Sequence, residues 1–258
     1  MKKVIEKVLV AILFATSTLA FSRTEKPTIV LVHGAFADTS SWSKVTRILE
    51  DDGYRVVAVA NPLRSVKADA DYTARIIASI NSSVVLVGHS YGGSVISEAA
   101  FGRPNVKALV FVSAFSPDVG ESASSLSGKF PGSTLGPTLS SGVTLANGDK
   151  DLYIEQDKFR AQFAADVPAY NAKLMAAAQR PITEAALKEP AITAAWKTIP
   201  SWFVYGDKDK NIPSQLSSFM AKRARAKDVI EVPGAPHVVM ISHAKTVAML
   251  IERAARAQ

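Results

Sequence analysis

Short aliphatic runs alternate with amphipathic stretches from residue 28 onward. Thr28 to Val32 is β-branched or aliphatic throughout and stops at His33-Gly34, the pattern of a strand buried on both faces. Ser41 to Glu50 then reads as an amphipathic helix ending before Gly53, and Tyr54 to Ala60 as a second strand stopped by Asn61-Pro62. Ala68 to Ile80 sets Tyr72, Ile76, Ile77 and Ile80 at helical spacing, and Val84 to Val87 is a third strand. Ser94 to Ala100 continues a helix leaving Gly92-Gly93, and Val106 to Val112 is a fourth strand. Such strict alternation predicts an α/β fold around a parallel sheet, because parallel neighbours need helical crossovers on the faces.

The regularity breaks after the fourth strand. Phe115 to about Ala146 is rich in Ser, Gly and Pro, and Leu152 to Trp196 reads as two or three helices. Alternation resumes with strand Ser201 to Tyr205, helix Ser214 to Ala226, strand Val229 to Val232 and helix Ala244 to Ala255. The pattern predicts a mostly parallel six-stranded sheet with helices on both faces, built from residues 21–114 and 198–258. Residues 115–197 are too many for a loop and are expected to form a helical cap over the carboxyl ends of the strands.

The first twenty residues follow a different logic. Lys2, Lys3 and Lys7 precede the apolar run from Val8 to Ala15, and the small residues Ala15, Thr16, Ser17, Thr18 and Ala20 follow, as in a secretory signal peptide cleaved after Thr18-Leu19-Ala20. The uncharged stretch Val8 to Ser22 is shorter than the roughly 20 residues a spanning helix needs, so cleavage and export to the periplasm or beyond are expected rather than stable membrane insertion. Removal of residues 1–20 would lower the formal charge from +7 to +5. The densest basic cluster, Lys222, Arg223, Arg225 and Lys227, carries no interleaved aromatics and reads as a solvated helix face, so nucleic acid is not an expected partner. With no cysteine in the chain, thiol catalysis and Cys-ligated zinc are excluded.

Chemistry gathers at three strand ends. Gly88-His89-Ser90-Tyr91-Gly92, between a strand and a helix, has the context of a G-x-S-x-G nucleophile elbow. Ser90 must sit in a strained turn to project its hydroxyl, and glycines two places either side let strand and helix approach. Serine needs a base at neutral pH. Among His33, His89, His237 and His243, the loop after the last strand favours His237. His33 is expected to brace the first turn, His89 to pack, and His243 to be a partly exposed structural residue. The acid is expected at Asp209, three residues after Gly206; Asp207 would fix the turn or pair with a lysine, and Asp118 is more distant. An oxyanion hole would use the N–H groups of Tyr91 and of Ala35, with Phe36 the neighbouring alternative.

Val-His-Gly-Ala-Phe, Val-Gly-His-Ser-Tyr-Gly-Gly, Tyr-Gly-Asp-Lys-Asp-Lys-Asn-Ile-Pro and Pro-His-Val-Val-Met-Ile-Ser-His together resemble the α/β-hydrolases. More narrowly, the chain is similar to bacterial relatives of the plant methylesterase and hydroxynitrile lyase clade. The resemblance implies an α/β-hydrolase fold, nucleophile Ser90, acid Asp209, base His237 and oxyanion donors Ala35 and Tyr91. It implies an esterase acting on a small to medium apolar ester through an acyl-enzyme, without metal or cofactor; a lactone or amide hydrolase with the same residues, or a ligand-binding protein of this fold with little turnover, are the alternatives. The lyases carry threonine after the first-strand histidine and lysine after the catalytic histidine; Gly34 and Val238 stand there instead, which disfavours cyanide chemistry. Tyr153, Phe159, Phe163, Leu174, Met175 and Trp196 are the cap residues expected to line a pocket or the cap core.

Overall fold

The computed structural model describes residues 25–257; the leader expected at 1–20 lies outside the described residues. Its main sheet begins with β1 (Thr28–Val32), followed by α1 (Ser43–Asp51), β2 (Val56–Val59), α2 (Val66–Ala78), β3 (Val84–His89), α3 (Gly92–Ala99) and β4 (Val106–Val112). Next come α4 (Ala123–Ser127), β5 (Val143–Thr144), β6 (Lys150–Leu152), α5 (Gln156–Phe163), α6 (Ala169–Ala178), β7 (Ile182–Thr183) and α7 (Glu184–Lys188). The chain then returns to the sheet through β8 (Ser201–Gly206), α8 (Ser214–Arg223), β9 (Asp228–Val232), α9 (Val239–Ser242) and α10 (Ala244–Arg256).

The six long strands order as β2-β1-β3-β4-β8-β9, and every pairing is parallel. Strands β1, β3 and β8 are buried along their whole length, the expected consequence of helices on both faces. Helices α1 and α10 pack together on one face and α2 and α3 on the other. The α10 stripe Val247, Leu250 and Ile251 is fully buried, each side chain contributing about 1.5–3 kcal/mol of burial. Between β1 and β3 the winding direction reverses. Loops on either side of such a reversal splay apart at the carboxyl ends, where open α/β sheets place their sites.

The segment between β4 and β8 contains more than helices. Besides α4 to α7 it holds a three-stranded antiparallel sheet, β5-β6-β7, which the hydrophobic pattern does not predict. Strands of two or three residues, with both residues of β5 exposed, leave no alternation to read. This segment is tied to three carboxyl-end loops. Phe36 N–H donates to the Arg180 carbonyl (2.9 Å), Thr183 N–H to Leu63 (3.1 Å), and Thr134 N–H to Lys210 (2.9 Å).

Candidate active site

Ser90 sits where β3 turns into α3, with φ +53° and 7% of its surface exposed. A left-handed conformation costs a non-glycine residue about 1–3 kcal/mol, so the turn must be held from outside. Its N–H is shared between the carbonyls of Val112 (3.2 Å) and Ser113 (3.1 Å), and its carbonyl accepts from Gly93 (3.0 Å) and Phe115 (3.1 Å). The end of β4 thus clamps the elbow. The flanking glycines are sterically required: a Cβ on Gly88 would lie 2.6 Å from the Gly92 carbonyl oxygen, and one on Gly92 2.5 Å from that of Val32.

Gly34 lies directly against the elbow, since a Cβ there would come within 2.6 Å of Ser90 Cβ and 3.2 Å of Tyr91 N. The turn after β1 and the start of α3 are therefore in backbone contact. Ala35 and Tyr91 are both buried, yet among the described residues neither backbone N–H finds an acceptor. Buried orphan N–H groups are rare, and these two lie on turns that touch each other. Phe36, the alternative donor, already spends its N–H on Arg180.

The loops that follow β8 and β9 are lashed together. A Cβ on Gly206 would overlap the Ala235 carbonyl oxygen at 2.0 Å. Lys208 N–H donates to Ala235 (3.1 Å), Asp207 N–H to Val232 (3.3 Å), and Gly234 N–H to the Asp207 carboxylate (2.6 Å). Asp207 is consumed by that turn. Asp209 instead turns inward: its Oδ1 accepts from Asn211 N–H (2.8 Å) and Ile212 N–H (2.9 Å), and its Oδ2 accepts from His237 Nδ1 at 2.7 Å. Both side chains are fully buried. An ionised carboxylate only accepts, so Nδ1 carries the proton and Nε2 is left as the basic nitrogen. Nε2 is buried and makes no hydrogen bond, including to Ser90.

The other histidines take different places. His89 donates from Nε2 to the His237 carbonyl (3.2 Å), with ring centroids 4.8 Å apart, so it braces the base loop beyond the packing role expected of it. Burial, reinforced by His237, pushes His89 well below the usual histidine range. His33 Nδ1 lies 2.9 Å from the Gly34 carbonyl, and its Nε2 accepts from Asn61 N–H (3.1 Å). Burial holds His33 below its ordinary value, opposed in part by the Gly34 carbonyl. His243 is half-exposed between α9 and α10, 3.4 Å from Asp166. Asp118 pairs with Lys197 at 2.6 Å, away from the other candidates.

Several contacts were not visible in the sequence. The Tyr91 hydroxyl donates to buried Asp69 (2.9 Å), whose carboxyl is pushed up by burial against the bonds from Arg64 N–H and Tyr91. Gln162 donates to Asn211 Oδ1 (2.8 Å), in the turn that carries Asp209. Phe163 packs on His237 (centroids 5.2 Å), His89 (6.3 Å) and Phe36 (6.2 Å), closing over the site with Phe159 behind it. A cavity of about 430 Å³ opens on the other side of Phe36, lined by Lys44, Val167, Met175 and Ile241 among others. Ser90 and His237 do not line it; Phe36 is the residue it shares with the site. Of the remaining cap candidates, Trp196 bonds the Pro117 carbonyl (2.8 Å) under Arg223, Leu174 is exposed and Tyr153 is half-buried.

A sequence model of the alpha/beta hydrolase family matches residues 29–250, and the chain belongs to that family. It is a hydrolase by class. Among its relatives, an alpha-hydroxynitrile lyase of Arabidopsis thaliana is 29% identical over 83% of this chain and 91% of that protein. Methylesterase 2 of Arabidopsis thaliana is 27% identical over 83% and 90%. These relatives come from the methylesterase and hydroxynitrile lyase clade that its motifs resemble. In structure it is similar to polyneuridine aldehyde esterase (TM-score 0.76, 20% identity, 89% of this chain and 99% of that one). A pyrethroid hydrolase of Sphingobium faniae JZ-2 is also similar (TM-score 0.72, 21% identity, 90% and 98%); at these identities the likeness is one of fold.

Proposed function

We propose that the protein is a serine carboxylesterase for small to medium apolar esters, working through an acyl-enzyme. The observation that carries this reading is the buried His237–Asp209 pair, fixed through Nδ1 with Nε2 left unpartnered, in a chain whose β3 ends in an elbow serine at φ +53°. Ser90 Oγ attacks the ester carbonyl while His237 Nε2 takes its proton. Asp209 stabilises the imidazolium, and the N–H groups of Ala35 and Tyr91 receive the oxyanion. Collapse of the tetrahedral adduct breaks the C–O bond, and His237 returns the proton to the departing alcohol. Water then repeats the sequence on the acyl-enzyme, releasing the acid and restoring Ser90. The cavity beyond Phe36, with Val167, Met175 and Ile241 among polar neighbours such as Asp38, Asp166 and Asn171, is the space we assign to the substrate's remote part.

Hydrolysis is favoured over the lyase reaction by Gly34, because any side chain there meets Ser90 Cβ at 2.6 Å in this backbone. Val238, at the place of the lyase lysine, is fully buried and uncharged. The test is turnover of p-nitrophenyl acetate, butyrate and octanoate by the wild type and by Ser90→Ala, His237→Ala, Asp209→Asn and Asp207→Asn. Loss with the first three and retention with Asp207→Asn supports the reading. A folded wild type that traps a serine-reactive phosphonate but turns over no ester, lactone or amide would replace it with ligand binding. Export through residues 1–20 is also proposed: a mature chain beginning at Phe21 in the exported fraction supports it, and an intact Met1 start refutes it.

A further inference from the structure

Among the buried titratable groups that the esterase reading does not use is His33. His33, almost fully buried at the end of β1, makes two ring contacts of different kinds. Asn61 N–H, shared with the Val59 carbonyl (2.9 Å), donates to Nε2 at 3.1 Å, so that nitrogen is an acceptor and the ring proton resides on Nδ1. Nδ1–H therefore donates to the Gly34 carbonyl at 2.9 Å. The same asparagine donates from Nδ2 to the His33 carbonyl (2.9 Å), fixing the residue at both its ring and its backbone. The neutral ring this requires agrees with the effect of burial on His33.

The bonded carbonyl is half of a peptide unit whose other half is the Ala35 N–H. In a planar trans peptide the C=O and N–H point in opposite directions. A donor that grips the Gly34 carbonyl from one side therefore turns the Ala35 N–H to the other, where it has no protein acceptor. Gly34 cannot supply that rigidity, because a residue without Cβ is the most free to rotate its flanking peptides. We propose that His33 is a positioning residue that sets the oxyanion hole, its Nδ1–H pinning the Gly34 carbonyl so that the Ala35 N–H stays aimed at the oxyanion. Asn61 sets the tautomer that makes this possible. The inference rests on the serine esterase reading and extends it to a residue that touches no substrate.

Two substitutions separate the two ring bonds. His33→Asn keeps a donor near the Nδ1 position and loses the acceptor; His33→Gln keeps a polar atom near the Nε2 position and loses the Gly34 donor. Removal of an oxyanion donor costs about 10²–10³ in turnover, and a misaimed one part of that. The expected result is that His33→Gln lowers kcat about 10- to 100-fold with KM within about twofold, while His33→Asn stays within about fivefold of wild type. Affinity for an alkylboronic acid, whose tetrahedral adduct fills the hole, falls in step with kcat for the Gln variant. Equal losses in both variants, a loss confined to KM, or unchanged boronic acid affinity would overturn the proposal. Should either variant not fold, ring ¹⁵N shifts of wild-type His33 decide: a proton on Nδ1 upholds it, and a proton on Nε2 sinks it. Failure of the parent reading looks different, as a wild type whose ester turnover is absent or survives Ser90→Ala.

Discussion

Gly34→Ala adds one methyl group at the most crowded contact of the site. The new Cβ would stand 2.6 Å from Ser90 Cβ and 2.8 Å from the His89 carbonyl oxygen. Carbon atoms in a packed interior meet at about 3.5–4.0 Å, so the nearest contact is short by roughly 1 Å. Neither neighbour is the far end of a flexible side chain, and the elbow is held to β4 through both the N–H and the carbonyl of Ser90. Relief must come from the turn carrying Ala35. Forcing a methyl into such a place costs about 1–3 kcal/mol, which for a chain of this size is a fall in Tm of roughly 2–12 °C. The same displacement moves the Ala35 N–H, and a misplacement approaching 1 Å lowers kcat about 100-fold. Thermal unfolding by circular dichroism and ester turnover normalised to phosphonate-titrated sites measure both effects. Gly136→Ala, where nothing lies within 4 Å of the added carbon, is the control and is expected to change neither. A Gly34→Ala protein with Tm within about 1 °C and kcat within about twofold of wild type would refute the argument.

Asp209→Asn is expected to lower kcat about 10³- to 10⁴-fold by presenting an amide donor to Nδ1 and reversing the His237 tautomer, whereas Asp207→Ala costs about 1 kcal/mol of stability and little activity; pre-steady-state esterolysis and urea melts distinguish them. Ser90→Gly and Ser90→Ala both lose turnover, but the glycine variant is the more stable by about 0.5–1 kcal/mol, because relief of the strain at φ +53° exceeds the extra entropy glycine has in the unfolded chain. The reverse order in denaturant melts would remove strain from the account of the elbow. Tyr91→Phe leaves the Asp69 carboxylate without its hydroxyl donor and destabilises by about 1–3 kcal/mol. Because Asp69 is already raised by burial, its contribution weakens as pH rises through the folded value, so the variant's deficit in urea should be larger at alkaline pH than at a pH below the ordinary carboxylate value. Glu121 behaves oppositely: burial opposes its ionisation, but hydrogen bonds from Arg223, Asp118 N–H and Lys129 outweigh that and bring it down to about 2. The stability it adds is complete above the ordinary glutamate value and is lost as pH falls toward about 2, so Glu121→Gln should flatten the acid limb of a Tm–pH curve.

The parallel sheet could be read because a strand covered on both faces must be apolar at consecutive positions, and Thr28 to Val32 and Val84 to Val87 are. Boundaries shifted by one to three residues; β3 runs on to His89, into the elbow itself, and α8 stops at Arg223. The elbow was legible because its demands are local: a strained serine, glycines at fixed offsets, and a strand and helix either side. Asp209 could be separated from Asp207 by turn geometry, and the structure carries Asp209 to His237 while Gly234 takes Asp207.

Contacts that bring distant residues together left no such mark. His33 meets Asn61 28 positions away, Tyr91 meets Asp69 22 away, and Gln162 reaches Asn211 across 49. Phe163 could be seen as one apolar residue at helical spacing, but its seat on His237 depends on how α5 lies over the strand ends. The small β5-β6-β7 sheet is hidden for a related reason: strands this short bury too little to impose a period. Periodicity records whether a position is covered, averaged over its neighbours, and so encodes elements, turns and the chemistry within one turn. Which surfaces then meet is settled by the packing of whole elements against one another. The direction of the Ala35 N–H, the tautomer of His33 and the closure by Phe163 exist only in that packing, because each is a relation between atoms that the chain order holds far apart.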